Sequence, residues 1–314
     1  MILDENQLVI DLHHVAVWVA DVREAAHRYE MLLGMHGEQQ DDGTALLRCM
    51  HEDYCLWLQP VPDGKEAGLN YVAYELRPGL SLDAAQALIE ERGESAERIA
   101  VPVRGQGLLL RDPDDNGVVV LERVPPADPR SPMMIETTTL RGYHPRRLGH
   151  VNYLTSDVPR AGKWYADVLG FRFTDWIEDD AAVWMHIDAR HHVIAFLNKE
   201  PACIHHIAFE LPDWGDMRVM LDNIAKHGRF STWGPIRHGM AQNIATYWRM
   251  WEEKYFIEIY CDMQVLAVDH QPVVHPDNAY SSSTWGILPP RTYFRFDDEA
   301  VEIERTSAYS KYTK

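Results

Sequence analysis

The chain repeats itself once, and this repeat constrains the fold more than any other feature of the sequence. Four residues recur at an offset of 136 positions: His14 with His150, Asp21 with Asp157, Tyr29 with Tyr165, and Gly34 with Gly170. A later block, Val72 to Leu76, returns as Ile207 to Leu211 at an offset of 135. An offset that drifts by one residue over such a span indicates one ancestral unit used twice.

Both copies follow the same order of predicted elements. A strand-like apolar run leads to an aspartate that can cap a helix, and a glycine ends the first helix. The four predicted helices are Val22 to Leu33, Ser81 to Arg92, Val158 to Leu169 and Asp213 to His227. Further strand-like runs follow each helix. The order predicts an α+β fold of two tandem domains, each built from two βαβββ modules.

A proline-rich stretch between the copies marks the domain boundary. Val124 to Arg147 contains five prolines and scattered charge, which is typical of an irregular linker. We therefore predict an N-terminal domain over 1–124, a linker over 125–147 and a C-terminal domain over 148–262. The remaining tail, 263–314, is rich in proline and aromatic residues and is a candidate lid for an active site.

Charge and composition exclude several classes of partner. A formal net charge of −18 repels phosphate backbones and anionic lipid, so we expect neither nucleic acid nor a membrane surface as partner. The N-terminus has no cationic region followed by an apolar run. The four cysteines form no CxxC pair and fit a reducing compartment. We therefore expect a cytoplasmic protein.

Two histidines and a glutamate in the second copy form a candidate metal site. His150, His206 and Glu258 each lie on a short apolar run that is typical of a strand. Two imidazoles and one carboxylate that leave other coordination positions open are the ligand set of the non-haem Fe(II) oxygenases. The three residues therefore predict a divalent metal in the C-terminal domain.

The first copy is an internal control for this interpretation. The offset places His14 at the position of the first ligand and Tyr71 at that of the second. The position of the third falls at about Val119 or Val120, on the run that follows the turn Asp112 to Gly117. Two of the three ligands are thus absent. We predict that the N-terminal domain binds no metal in this way and acts as a packing partner.

Seven blocks of the second copy carry a family resemblance: Gly149 to Asn152, Asp157 to Arg160, Leu169 to Phe171, Trp184 to His186, His205 to Phe209, Arg237 to Gly239 and Ile257 to Tyr260. The chain resembles the type I extradiol ring-cleaving dioxygenases of the vicinal oxygen chelate superfamily, in particular the homoprotocatechuate and catechol 2,3-dioxygenases. This resemblance implies that O₂ and a catecholic substrate react at a mononuclear Fe(II) site, or a Mn(II) site, to give a muconic semialdehyde-type product.

The resemblance also implies roles for single residues. It makes His150, His206 and Glu258 the metal ligands and His192 the acid/base histidine. His191 competes for the acid/base role, but the spacing to His206 favours His192.

Other positions match residues around the substrate. His238 and Tyr247 match the pair that hydrogen-bonds the bound diol, and Asn152 and Trp184 match residues that line the O₂ and substrate sides.

The chain departs from the family pattern at two places. The family's Asp-Pro-x-Gly turn after the tyrosine is replaced by Trp248 to Lys254. Near the position where homoprotocatechuate enzymes bind the substrate carboxylate through an arginine, this chain has Trp233. We therefore expect a neutral or apolar ring substituent, with Arg291 in the tail as the remaining candidate for a charge.

Two other classes of function compete with this prediction. Glyoxalases and epimerases share the fold and use a metal without O₂, but they spread four ligands over two modules. Metal-free modules that sequester antibiotics need none of the histidines around the predicted site. The family also often assembles into oligomers, so we expect a homo-oligomer.

Overall fold

A computed structural model of the chain describes residues 6–49, 52–124 and 144–309. Most of the predicted linker, 125–143, and the end of the tail lie outside the described residues. Two β-sheets form the framework, one from each copy of the repeat. Within the described ranges, no helix has the length and apolar character that crossing a bilayer requires.

The first sheet contains eight strands in the order β2-β3-β4-β1-β5-β8-β7-β6. These strands are β1 (Val9–Val19), β2 (His36–Gln39), β3 (Ala45–Arg48), β4 (Leu56–Pro60), β5 (Gly68–Leu76), β6 (Glu97–Val101), β7 (Gly105–Arg111) and β8 (Gly117–Leu121). Helices α1 (Val22–Leu33) and α2 (Leu82–Glu91) follow β1 and β5.

The second sheet has the same plan plus one strand from the tail, in the order β14-β15-β16-β13-β9-β12-β11-β10-β17. Its strands are β9 (Arg147–Thr155), β10 (Arg172–Ile177), β11 (Ala182–His186), β12 (Ile194–Asn198), β13 (Cys203–Glu210), β14 (Trp233–Arg237), β15 (Ile244–Arg249), β16 (Phe256–Cys261) and β17 (Val273–His275). Helices α3 (Val158–Trp164) and α4 (Trp214–Lys226) follow β9 and β13. The predicted α+β fold of βαβββ modules is confirmed.

The tail after β16 adds little regular structure. Beyond β17 it contains the short helix α5 (Ala279–Ser282), a 3₁₀ turn (Arg291–Phe294) and helix α6 (Asp298–Tyr309). β17 pairs in parallel with β10 at the edge of the second sheet.

The helix ends predicted from the sequence are visible as hydrogen bonds. The Asp21 carboxylate accepts from the backbone N–H of Glu24 at 2.9 Å and so caps α1. Gly34 ends α1 in the left-handed region, at φ +68°, which glycine adopts without steric cost.

The corresponding helix of the second copy differs from the prediction. α3 ends at Trp164 and continues as a π turn over Tyr165–Leu169, before Gly170 ends it at φ +79°. Within this wider turn Tyr165 is fully buried, and its hydroxyl donates to Asp112 of the first copy at 3.3 Å. The side chain that interrupts the regular helix is therefore part of the contact between the copies.

The strand β1 also begins earlier than its apolar run suggests. The sequence predicts a strand from Val15, but pairing with β5 starts at Val9. Register shifts on either side of Asp11 to Leu12 break the alternation of buried and exposed side chains. A strand with such bulges does not show the period of two from which strands are predicted.

The atypical turn after β15 packs against the first copy. Arg28 on α1 forms ion pairs with Glu252 and Glu253, and the hydroxyls of Tyr29 and Tyr255 are hydrogen-bonded to each other. The Glu253 side chain is only 1% exposed. Burial raises its pKa to about 7, although Arg28 opposes the shift.

We predict that the titration of Glu253 makes the protein less stable as the pH rises. The folded chain binds the proton more tightly than the unfolded chain, so this stabilisation is complete below an unfolded pKa of about 4.3. It is lost as the pH rises through about 7. Glu253→Gln should gain up to about 3 kcal/mol over the wild type between about pH 5 and about pH 8, measured by urea unfolding. A stability difference that does not change with pH would contradict this prediction.

Candidate active site

The three predicted metal ligands lie on adjacent strands at the centre of the second sheet. Ala208 on β13 pairs with His150 on β9 at one side and with Glu258 on β16 at the other. His206 stands two residues before Ala208, on the same face of β13. The small alanine between the two larger side chains leaves room for them to approach each other.

The ligand atoms form a nearly equilateral triangle. Oε2 of Glu258 is 3.0 Å from Nε2 of His150 and 3.0 Å from Nε2 of His206, and the two nitrogens are 3.3 Å apart. Atoms that bind a metal at about 2.1 Å and at right angles to one another are about 3.0 Å apart. All three side chains are at least 94% buried. The spacing therefore fits three neighbouring ligands of one cation.

The protonation states of the three side chains also favour binding of a cation. Burial lowers the pKa of His150, although Glu258 opposes the shift. Burial alone would raise the pKa of Glu258, but His150 and His206 outweigh it and hold that pKa well below its usual range. A neutral imidazole and an ionised carboxylate are the protonation states that bind a metal.

Side chains behind the triangle hold two of the ligands in place. Asn243 donates to Oε1 of Glu258 at 3.0 Å, which leaves Oε2 for the metal. Nδ1 of His206 is 2.8 Å from Nδ1 of His205. Neither Asn243 nor the role of His205 was predicted, because both depend on contacts that no short motif records.

A cavity opens next to the metal ligands, and it contains nine of the ten predicted site residues. Besides the three ligands, these are Asn152, Trp184, His192, Trp233, His238 and Tyr247. Arg291 does not belong to the lining, and its side chain is exposed on the 3₁₀ turn. The expectation that Arg291 supplies a charge to the substrate has no support in this arrangement.

His192 lies beside the ligands, whereas His191 faces away from the cavity. The ring centroids of His192 and His150 are 4.2 Å apart. His191 is fully buried, and its Nε2 is 3.0 Å from a carboxylate oxygen of Asp175. Burial, with His150 and His191 nearby, lowers the pKa of His192 well below its usual range, which keeps this imidazole neutral.

His238 and Tyr247 form a hydrogen-bonded pair at the cavity wall. Nδ1 of His238 donates to the carbonyl of Ser282 at 2.8 Å, so the neutral ring accepts at Nε2 from the Tyr247 hydroxyl at 2.7 Å. Trp233 stacks on Tyr247 with an interplanar angle of 16°, and its N–H donates to the carbonyl of Ile287. Ser282 and Ile287 belong to the tail, so the tail supports this wall.

The first copy has the same backbone register without the site. Ala73 pairs with His14 on one side and Val119 on the other, so Val119 is the counterpart of the glutamate ligand. Nε2 of His14 is 3.2 Å from the hydroxyl of Tyr71. A cluster that includes Tyr54 fills the equivalent space.

We predict that metal binding depends on the second copy alone. Glu258→Gln keeps the shape of the side chain but removes its charge, so Mn(II) affinity in titration calorimetry of the metal-free protein should fall by about 100-fold or more. The matched control is His14→Gln, which should bind Mn(II) like the wild type. Undiminished binding by Glu258→Gln, or its loss in His14→Gln, would contradict the assignment.

The chain is similar in sequence to known proteins. Residues 147–247 match the family described as Glyoxalase/Bleomycin resistance protein/Dioxygenase superfamily. The metapyrocatechase of Geobacillus stearothermophilus is 23% identical over 252 residues, which cover 76% of this chain and 77% of that protein. A manganese-dependent 2,3-dihydroxybiphenyl 1,2-dioxygenase of Geobacillus genomosp. 3 is 23% identical over 252 residues, covering 74% of this chain and 79% of the relative.

Solved structures show the same fold. Homoprotocatechuate 2,3-dioxygenase from Arthrobacter globiformis superposes with a TM-score of 0.80 at 22% identity, over 96% of each chain. A Mn(II)-bound glyoxalase from Novosphingobium aromaticivorans superposes with a TM-score of 0.78 at 22% identity, over 92% of this chain and 94% of that one. Residues 147–247 therefore form a domain of the glyoxalase/bleomycin resistance protein/dioxygenase superfamily, and the chain as a whole shares the fold of these solved structures.

Proposed function

We propose that this protein cleaves the ring of a catecholic substrate with O₂, next to the two hydroxyl groups. The observation that carries the proposal is the buried triangle of His150, His206 and Glu258, which opens on a cavity that His192 also lines. Three protein ligands leave open positions on a metal, where a diol and O₂ can both bind. The relatives named as dioxygenases support the same chemistry.

The metal is proposed to be Fe(II), with Mn(II) as the alternative that the same ligand types accept. When bound, it would supply Lewis-acid and redox chemistry that brings the diol and O₂ together. The similarity to a manganese-dependent relative supports the alternative, so metal identity is a separate question from reaction type.

The proposed role of His192 is to accept a proton from the diol and return it later. A catechol must lose at least one proton to bind a cation well, and a neutral imidazole near the site can accept it. Nδ1 of His192 is occupied by His191, which leaves Nε2 for a ligand in the cavity.

His238 and Tyr247 are proposed to hydrogen-bond the diol as its charge develops. Nδ1–H of His238 donates to the carbonyl of Ser282 in the tail. In the neutral pair the hydroxyl proton of Tyr247 is therefore the one that the two side chains can offer to the diol. One well-placed donor in such a site contributes about 3 kcal/mol to the stabilisation of developing charge.

The cavity favours a substrate whose ring substituent has no charge. Glu258 is its only charged lining residue apart from the histidines, and the described lining contains no lysine or arginine. Aromatic and apolar side chains form much of the remaining wall: Ile177, Trp184, Leu197, Trp233, Met240, Pro289, Tyr293 and Phe294. A carboxylate on the substrate would lose its hydration here without gaining a cationic partner. We therefore propose a catechol with a neutral or apolar substituent.

The other parts of the chain have supporting roles in this proposal. We propose that residues 1–124 form a domain that binds no metal, separate from the catalytic domain over 148–262. The tail over 263–314 is proposed as a cover, since Pro289, Tyr293 and Phe294 lie in the cavity wall. A homo-oligomer stays a prediction.

A glyoxalase-type reaction without O₂ is less well supported. It would need a fourth ligand, and in the described part of the second sheet the candidate metal ligands that cluster are three, His150, His206 and Glu258. Val119 and Tyr71 occupy the matching positions of the first copy, where neither an imidazole nor a carboxylate is present.

The decisive experiment measures O₂ consumption and visible absorbance of Fe(II)-loaded protein. The substrates are catechol, 3- and 4-alkylcatechols, 2,3-dihydroxybiphenyl and homoprotocatechuate. We expect stoichiometric O₂ uptake with a yellow product, fastest with the uncharged diols. Bound iron with no uptake on any diol would contradict the dioxygenase assignment, and a preference for homoprotocatechuate would contradict the argument from Trp233.

A second prediction concerns His192. His192→Phe keeps an aromatic ring of similar size but cannot take a proton, so most of the turnover should be lost. Binding of Mn(II) and of the diol without O₂ should remain, because neither needs the imidazole as a ligand. Unchanged turnover would remove His192 from the mechanism.

A further inference from the structure

Three pairs of adjacent histidines are joined through the same ring atoms. The Nδ1 to Nδ1 distances are 2.7 Å for His13 and His14, 3.1 Å for His191 and His192, and 2.8 Å for His205 and His206. In a neutral imidazole one nitrogen donates and the other accepts. The tautomer of one ring in each pair therefore determines the tautomer of the other.

In the pair that contains a metal ligand, the outer partner is a backbone carbonyl. Nε2 of His205 is 2.9 Å from the carbonyl oxygen of Tyr293, which can only accept. His205 therefore carries its proton on Nε2 and accepts at Nδ1. The proton between the rings therefore belongs to Nδ1 of His206. Nε2 of His206 faces Oε2 of Glu258 at 3.0 Å and is the nitrogen that a metal would take as its ligand.

In the pair beside the cavity, the outer partner is a carboxylate. Nε2 of His191 donates to Asp175 at 3.0 Å, so Nδ1 of His191 accepts from Nδ1–H of His192. Nε2 of His192 then has no proton, as a base requires. His191 and Asp175 are turned away from the reacting groups and act through His192.

In the pair of the first copy, His13 and His14, the shared proton lies on the outer ring instead of the inner one. Arg104 is a donor only, and its Nη2 is 3.0 Å from Nε2 of His13. His13 therefore accepts at Nε2 and donates from Nδ1 to His14. His14 carries its proton on Nε2 and donates it to the hydroxyl of Tyr71, at 3.2 Å, so this ring presents no lone pair there.

We propose that the outer partner of each histidine pair sets the tautomer of the inner ring. Asp175 and His191 are positioning residues that make Nε2 of His192 the acceptor, and His205 with the Tyr293 carbonyl places the shared proton on Nδ1 of the ligand His206. Arg104 imposes the reverse on His14. The catalytic consequence for His192 rests on the proposed function, whereas the tautomers themselves do not.

The tautomers can be read directly in the metal-free protein. Long-range ¹H–¹⁵N correlation spectra of protein labelled in its histidine rings show which nitrogen carries the proton, with assignments from single histidine variants. We expect Nδ1–H alone at His192, Nε2–H at His14, and a proton on Nδ1 of His206, whether or not Nε2 of that ring also donates to Glu258. Nε2–H or a mixture at His192, an unprotonated Nδ1 at His206, or Nδ1–H at His14 would overturn the proposal. This measurement needs no turnover, so it stands if no diol is cleaved.

Substitutions at His191 test the function of the relay. Glutamine can donate to Asp175 through its amide nitrogen and accept from His192 through its oxygen, so His191→Gln should keep the His192 tautomer and turnover close to wild type. His191→Phe fills the space but can do neither, and its kcat should fall about 10- to 100-fold. Binding of Mn(II) and of the diol without O₂ should not change in either variant. Equal kcat values for the two variants would contradict the relay.

Asp175 needs a separate control because the tail also contacts it. Nε2 of His275 on β17 is 3.3 Å from the same carboxylate oxygen. Asp175→Asn can turn its amide N–H₂ toward His191, and it should reduce kcat like His191→Phe. His275→Gln removes the tail contact alone and should leave kcat unchanged. An equal loss in His275→Gln would assign the effect to the tail and overturn the role of Asp175.

Discussion

The negative charge of Glu258 is almost completely removed from water, and much of the second sheet is arranged around it. An isolated buried carboxylate is costly, and it would take up a proton unless opposite charge or hydrogen bonds compensate. Asn243 supplies one hydrogen bond, and the imidazoles of His150 and His206 outweigh the cost of burial. The need to compensate this buried charge explains why two histidines on neighbouring strands converge on one carboxylate oxygen. It also explains why the small Ala208 stands between His150 and Glu258 in the sheet.

The repeat shows what happens to the same backbone when that charge is absent. Val119 pairs with Ala73 as Glu258 pairs with Ala208, but a valine demands no ligand and no cavity. The N-terminal space is packed with aromatic and aliphatic side chains, and its remaining histidine is hydrogen-bonded to Tyr71. One copy thus has core packing where the other has an open site, and α1 of the first copy packs on the turn that follows β15.

The order of strands and helices could be predicted from the sequence because each copy of the repeat supports the assignment made in the other. Capping aspartates and terminal glycines located the helices, and the repeat aligned His150, His206 and Glu258 with strand positions of the first copy. The partners of these residues were not predictable in the same way. Asp175 and Asn243 reach the site across the sheet, and the tail has no counterpart in the first copy from which its register could be inferred. The side chain of Tyr165 in the π turn likewise contacts Asp112, which is distant in sequence.

The tail distinguishes this site from the corresponding region of the first copy, because main-chain carbonyls of the tail determine which ring nitrogens carry protons in the cavity wall. The carbonyl of Ser282 accepts from Nδ1 of His238, so Nε2 of that ring is an acceptor. The carbonyl of Tyr293 accepts from Nε2 of His205, so Nδ1 of His205 accepts from the ring of His206. Arg249 on β15 is fully buried and donates to the carbonyls of Thr292 and Arg295, which holds the turn that carries Tyr293. A backbone carbonyl cannot be changed by substitution of its side chain, so this control over tautomers persists while neighbouring side chains vary. Substrate preference can therefore change through residues such as Phe294 without disturbing the proton positions on the ligands.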